Sequence, residues 1–189
     1  MSTPKLSHDD KWPRANSLFS ADTSAAQCVL IGIPAHSTSL SPTAADQTPA
    51  AIREDLARYS TYSSAHDIDL RTLSIADAGD VANPDGPEGE ARVASALSSI
   101  KDNENLVIAL GGDNSITCSV AAGLFDDLAN IGIITLDAHH DLRDGVSNGS
   151  PIWRLIQAGA PGDNIVQIGI SDFANSAEYA QRAKENGIT

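Results

Sequence analysis

The chain has 189 residues, 41% of them hydrophobic and only 4% aromatic, with 12 Lys and Arg against 25 Asp and Glu. That size and apolar content suit one domain with a buried core, not a disordered chain. A net charge of −13 argues against the cationic face that nucleic acid or an anionic membrane surface requires. The longest apolar runs, about six to eight residues, fall far short of the roughly 20 that span a bilayer.

Residues 1–26 are polar and rich in Ser, Asp and Pro, and read as an N-terminal arm anchored by Trp12 and Phe19. Met1–Phe19 lacks the apolar centre of a secretory signal, and with Cys28 and Cys118 read as free thiols the expected location is the cytoplasm. Periodic structure is expected over 27–189. Cys-Val-Leu-Ile-Gly-Ile within Gln27–Pro34 is a continuous apolar run, suited to a strand buried on both faces of a parallel sheet. Thr48 and Pro49 predict a helix start, as N-cap and first helical residue, with Ile52, Leu56 and Tyr59 along its inner face. Ile68–Ala76 reads as an edge strand. The next helix ends near Ile100, with Val93, Leu97 and Ile100 inward. Leu106–Leu110 and Ile131–Asp137 read as buried strands, Ser115–Phe125 and Pro151–Ala158 as helices, and Asn164–Ile170 as a fifth strand. Asn175 with Glu178 three residues on predicts the start of a last helix, which Gly187 closes. This alternation predicts an α/β fold of three layers, α-β-α, around a mostly parallel sheet. Gly187-Ile188-Thr189 reads as a helix exit into a further strand, so the chain is expected to be the front portion of a larger domain.

Ligands of open parallel sheets bind at the carboxyl ends of strands. Two of the predicted strands end there in polar clusters. Gly111-Gly112-Asp113-Asn114-Ser115 offers a tight turn and close backbone approach, or simply a helix cap at Asp113 or Asn114. Asp137-Ala138-His139-His140-Asp141 offers more. In extended chain, residues i, i+2 and i+4 point to one side, so Asp137, His139 and Asp141 converge while His140 points away. Two carboxylates and an imidazole make an oxygen-rich set that suits Mn²⁺ better than Zn²⁺. A D-x-H segment also occurs in metallophosphoesterases, but there it precedes the G-D segment; that hydrolase class is the weaker alternative.

Leu110-Gly111-Gly112-Asp113-Asn114-Ser115 resembles the G-G-D-H-S motif of the ureohydrolase superfamily, the arginases, agmatinases and formimidoylglutamases. Asp137-Ala138-His139-His140-Asp141 matches its D-A-H-x-D motif. Pro49-Ala50-Ala51-Ile52-Arg53 is similar to its G-P-x-x-I-R helix start, and Ile31-Gly32-Ile33-Pro34 to its first strand. The resemblance implies an arginase-like fold and a cytoplasmic hydrolase of amidino, guanidino or formimino C–N bonds, commonly a homo-oligomer, carrying two Mn²⁺ ions. It also implies ligand roles: Asp137 bridging both metals, His139 on one, and Asp141 with Asn114 on the other. Asp141-Leu142-Arg143 and Gly149-Ser150-Pro151 resemble the formimidoylglutamase branch, and Asn148 stands where arginases have a His. Arg143 then offers a guanidinium fork to a substrate carboxylate, or else braces the loop against Asp141 or Asp144. Asn148 and Ser150 bind substrate or cap the following helix.

Two departures shape the expectation. Asn114 stands in place of a ligand His, which predicts a loosely held second metal or a site that uses one metal. The family's later S-x-D-x-D motif has no counterpart in the sequence; Ser171-Asp172-Phe173-Ala174-Asn175 has one acid at the wrong spacing. Two function classes follow: a metal-dependent C–N hydrolase of which this chain is a part, and a non-catalytic metal-binding or interaction fragment on the same fold.

Overall fold

The computed structural model describes residues 7–102 and 105–189. The stretch read as an arm contributes to the sheet: after a short 3₁₀ turn, β1 (Phe19–Ser20) pairs in parallel with β5 (Ile75–Asp80). Trp12 remains half exposed. β2 (Cys28–Ile33) is the continuous apolar run, and it lies between β5 and β6 (Leu106–Gly111), giving the parallel order β1-β5-β2-β6. The segment expected as an edge strand is therefore interior. It starts later than the alternation suggested, because Ile68–Asp69 is instead spent on a small antiparallel hairpin of β3 (Tyr62–Ser63) and β4 (Ile68–Asp69).

The two faces of β2 explain the layers. Ile31 and Ile33 point to α2 (Gly86–Ile100) and pack with Val93 and Leu97, all nearly inaccessible. Gly32 faces the other way, toward Arg53 of α1 (Thr48–Leu56). Helix α1 begins one residue earlier than expected, with Thr48 already helical and Gln47 preceding it. Its apolar stripe is not the inner one: Ile52 and Tyr59 are exposed. An ion pair holds the helix to the sheet. Arg53 places Nε 2.6 Å and Nη2 2.8 Å from the two Asp77 oxygens, and Nη1 bonds Asp80.

Burial pushes the Asp77 carboxyl up, but the Arg53 guanidinium and the Gly79 amide outweigh it and hold Asp77 below its ordinary value. A carboxylate with a depressed folded pKa adds stability above its unfolded pKa of 3.8 and loses it as pH falls through the folded value. Arg53→Met is therefore expected to lower the thermal midpoint at pH 7. The gap from the parent chain should narrow below pH ~4; a gap independent of pH in thermal melts would refute this.

α3 (Thr117–Leu124) crosses from β6 to β7 (Ile133–Leu136), which pairs in parallel with β8 (Ile165–Ile168) as a separate two-stranded sheet. α4 (Pro151–Gln157) and α5 (Ala177–Glu185) cover one face of this pair, with Leu142, Ile152, Leu155 and Ile165 as its core. The other face is bare. Ile134 is 67% and Leu136 81% exposed, so β7 is not buried on both sides as its composition suggested, and neither is β6, whose Leu106 is 60% exposed. The edge of β6 away from β2 and the edge of β7 away from β8 have no strand beside them among the described residues. Beyond β8, Thr189 donates to Ile165 O and accepts from Gln167 N.

Candidate metal centre

The carboxyl ends of β6 and β7 open on one cavity of about 450 Å³. From the β6 side comes Asn114, and from the β7 side Asp137, His139, Asp141, Arg143 and Asn148. Ser150 is the exception among the expected site residues. It is fully buried, its hydroxyl donates to Ser147 O, and it does not line the cavity. It holds the N-cap position of α4 without a side-chain capping bond.

The ligand segment converges by turning, not by extending. β7 makes its last ladder bond at Asp137 N, to Ile168 O. Asp137 Oδ1 then accepts from the backbone of His139 at 2.7 Å and lies 3.2 Å from its Nδ1. Asp141 sits in the left-handed region at φ 54°, which Asp tolerates better than most residues. Its carboxyl is thereby brought back to the cluster, where Asn114 Nδ2 donates to Asp141 Oδ2 at 2.6 Å. Burial, and then the Asp137 charge, push Asp141 up to about 7.

The donor chemistry fits a hard divalent cation: two carboxylates, an imidazole and the Asn114 amide oxygen, which makes no hydrogen bond among the described residues. In number the set is partial. Among the described residues no three His, Cys, Asp or Glu side chains close tightly enough on one point to hold a metal ion. Arg143 forms no ion pair with Asp141 or Asp144; Asp144 pairs instead with Arg182 at 2.8 Å, leaving the Arg143 fork at the cavity wall. Asn148 accepts from Leu40 N through Oδ1 at 3.0 Å, tying its loop to the one after β2.

The sequence model described as the arginase family matches residues 26–189. The chain belongs to the arginase family. It is 38% identical over 168 residues to a formimidoylglutamase of Halalkalibacterium halodurans, a match covering 84% of this chain and 53% of that protein. An agmatinase of Bacillus subtilis is 28% identical over 170 residues, covering 86% and 58%. Among solved structures, formimidoylglutamase from Bacillus subtilis superposes with TM-score 0.87 at 26% identity, over 100% of this chain and 62% of that one. Trypanosoma cruzi formiminoglutamase with Mn²⁺ gives 0.84 at 26% identity, over 94% and 64%. The chain thus spans roughly half to two thirds of the length of these relatives. This membership sets the metallophosphoesterase alternative aside.

Several cavity residues of this arginase-family chain escaped the sequence reading. Leu40 and Ser41 come from the loop after β2, and Tyr179 from α5. Ser39 Oγ bonds Asp113 Oδ2, whose other oxygen caps Ser115 N at 3.0 Å. Only the richness of the 35–47 loop in Ser and Thr hinted at it.

Proposed function

We propose that this chain carries part of the metal centre of a manganese-dependent hydrolase of C–N bonds in linear amidines, closest in kind to a formimidoylglutamase. The observation that carries the reading is the gathering of Asp137, His139 and Asp141 beside Asn114, at the mouth of a cavity that also exposes Arg143. Manganese is supported by the donor chemistry and by the Mn²⁺ bound in the Trypanosoma cruzi formiminoglutamase. Asp137 and His139 would hold one ion, Asp137, Asp141 and Asn114 a second. Bound ions would lower the pKa of a water to near neutrality and so supply hydroxide to a weakly electrophilic amidine carbon.

The residues of the chain do the rest. The Arg143 guanidinium, without a carboxylate partner among the described residues, orients a substrate carboxylate. The Asn148 amide donates from the same wall. Net hydrolysis adds water across the C–N bond and yields an amine and an amide. The small-molecule substrate is accordingly one with an amidino or formimino group. The same reading takes the protein to be a cytoplasmic homo-oligomer without nucleic-acid or membrane partners. The charge of −13 speaks against nucleic-acid and anionic-membrane partners, and no described helix is long and apolar enough to cross a membrane.

The alternative, a non-catalytic metal-binding fragment, is favoured by the partial ligand set. Mn²⁺ titration followed by turnover assays with formiminoglutamate, agmatine, arginine and guanidinobutyrate tests the reading. The 189-residue chain is expected to bind Mn²⁺ and to show negligible turnover alone. Absence of any Mn²⁺ binding would refute the metal centre, and robust turnover would refute the partial ligand count.

A further inference from the structure

The backbone of Ala138–His140 lies beyond the β7 ladder and keeps one main-chain bond to the chain after β8, Ser171 N donating to Ala138 O at 3.1 Å. β8 ends at Ile168, and Gly169, at φ 93°, turns the chain away. Main-chain groups left without a partner in a half-buried segment cost stability and leave the segment loose. Here two side-chain amides reinforce that single contact and bond the main-chain groups beyond it. Asn175 spans the His139 peptide unit: its Oδ1 accepts from His140 N at 2.8 Å and its Nδ2 donates to Ala138 O at 3.0 Å. Gln167, the last but one residue of β8, bonds one main-chain group and the ring of His140. Its Nε2 donates to His140 O at 3.0 Å, and its Oε1 lies 2.7 Å from His140 Nδ1. The Gln167 contact requires the proton on Nδ1, so it also sets the His140 tautomer.

The sequence reading gave Asn175 a different task, that of capping the last helix. The cap is Ser176, whose Oγ accepts from Tyr179 N at 3.3 Å. The Asn175 amide is thereby free, and both of its polar atoms are used on the segment that bears His139. A carboxamide reproduces the donor and acceptor of a peptide group. It is therefore the side chain suited to continue a ladder where the neighbouring backbone supplies only one bond.

We propose that Asn175, with Gln167, is a positioning residue for the metal-ligand segment, holding His139 between two fixed peptide groups so that its imidazole meets the carboxylates of Asp137 and Asp141. The role rests on the metal reading above, and groups that orient ligands commonly change metal affinity by roughly 10- to 100-fold when removed.

The test compares the parent chain with Asn175→Ala and with Asn175→Leu, which keeps the volume but neither hydrogen bond. Three measurements are made: Mn²⁺ affinity by electron paramagnetic resonance, thermal midpoint, and metal-free hydrogen exchange at the His140 amide. Both variants are expected to stay folded and to exchange His140 on the order of tenfold faster. Both should bind Mn²⁺ roughly 10- to 100-fold more weakly. Unchanged exchange at His140 in a folded variant overturns the proposal, as does unchanged Mn²⁺ affinity. If the parent chain binds no Mn²⁺, the metal reading itself fails, and the metal-free exchange alone decides whether Asn175 orders the segment.

Discussion

Asp137→Asn is expected to weaken Mn²⁺ binding on the order of 100-fold or more. Asp137 Oδ1 is the point on which the His139 backbone and imidazole both close, so the substitution removes charge from the centre of the cluster. Neutralising one ligand leaves Asp141 alone to attract the cation. Folding stability should move the opposite way or not at all. The Asp137 charge is one of the two causes that push Asp141 up, and like charges held together oppose the compact state. The signature is thus lost affinity with an unchanged or raised thermal midpoint. Retained affinity would show that the ion sits elsewhere.

Gly112→Ala is expected to be the most damaging single methyl group in the site. A Cβ there would lie 1.9 Å from Ala35 O and 2.7 Å from Ala35 N, and main-chain atoms cannot swing aside. The two loops touch through their backbones at this point, with Gly112 N donating to Ile33 O and Asp113 N to Ala35 O. Separating them displaces Asn114 as well. A loss of about 3 kcal/mol is expected, at the top of the usual overpacking range. Gly111→Ala is the control. Its Cβ would meet first the Ile116 Cδ1, at 2.9 Å, the mobile end of a side chain. It should cost about 1 kcal/mol. Equal losses in chemical denaturation would remove the argument from backbone contact.

What was legible in the sequence follows from which signals are local. The β2 run, the α2 stripe of Val93 and Leu97, and Gly187 at φ 75° after the last helix are set by neighbours along the chain, and all three hold. The candidate metal cluster was legible as residue types. Its geometry was not, because an Asp side chain capping His139 and a left-handed Asp141 replace the extended strand assumed for it. α1 was misread in its facing because Arg53 pairs with Asp77 and Asp80, 24 and 27 residues away, and a hydrophobic stripe carries no trace of such a pairing. Ile68–Ala76 failed as an edge strand for a similar reason: alternation predicts extended chain but not which neighbours flank it. The exposure of Ile134 and Leu136 escaped as well, since an apolar strand does not reveal whether both of its faces find a cover.

The two open strand edges have a colloidal consequence. N–H and C=O groups with no strand beside them among the described residues, next to exposed Leu106, Ile134 and Leu136, form a template on which another chain can lay a strand. Opposing that attraction is the charge of −13, which makes every copy repel every other. The repulsion is screened over about 8 Å at physiological ionic strength, whereas short-range strand pairing is not. Dilution and low salt therefore favour the monodisperse chain, and added salt shifts the balance toward association through these edges.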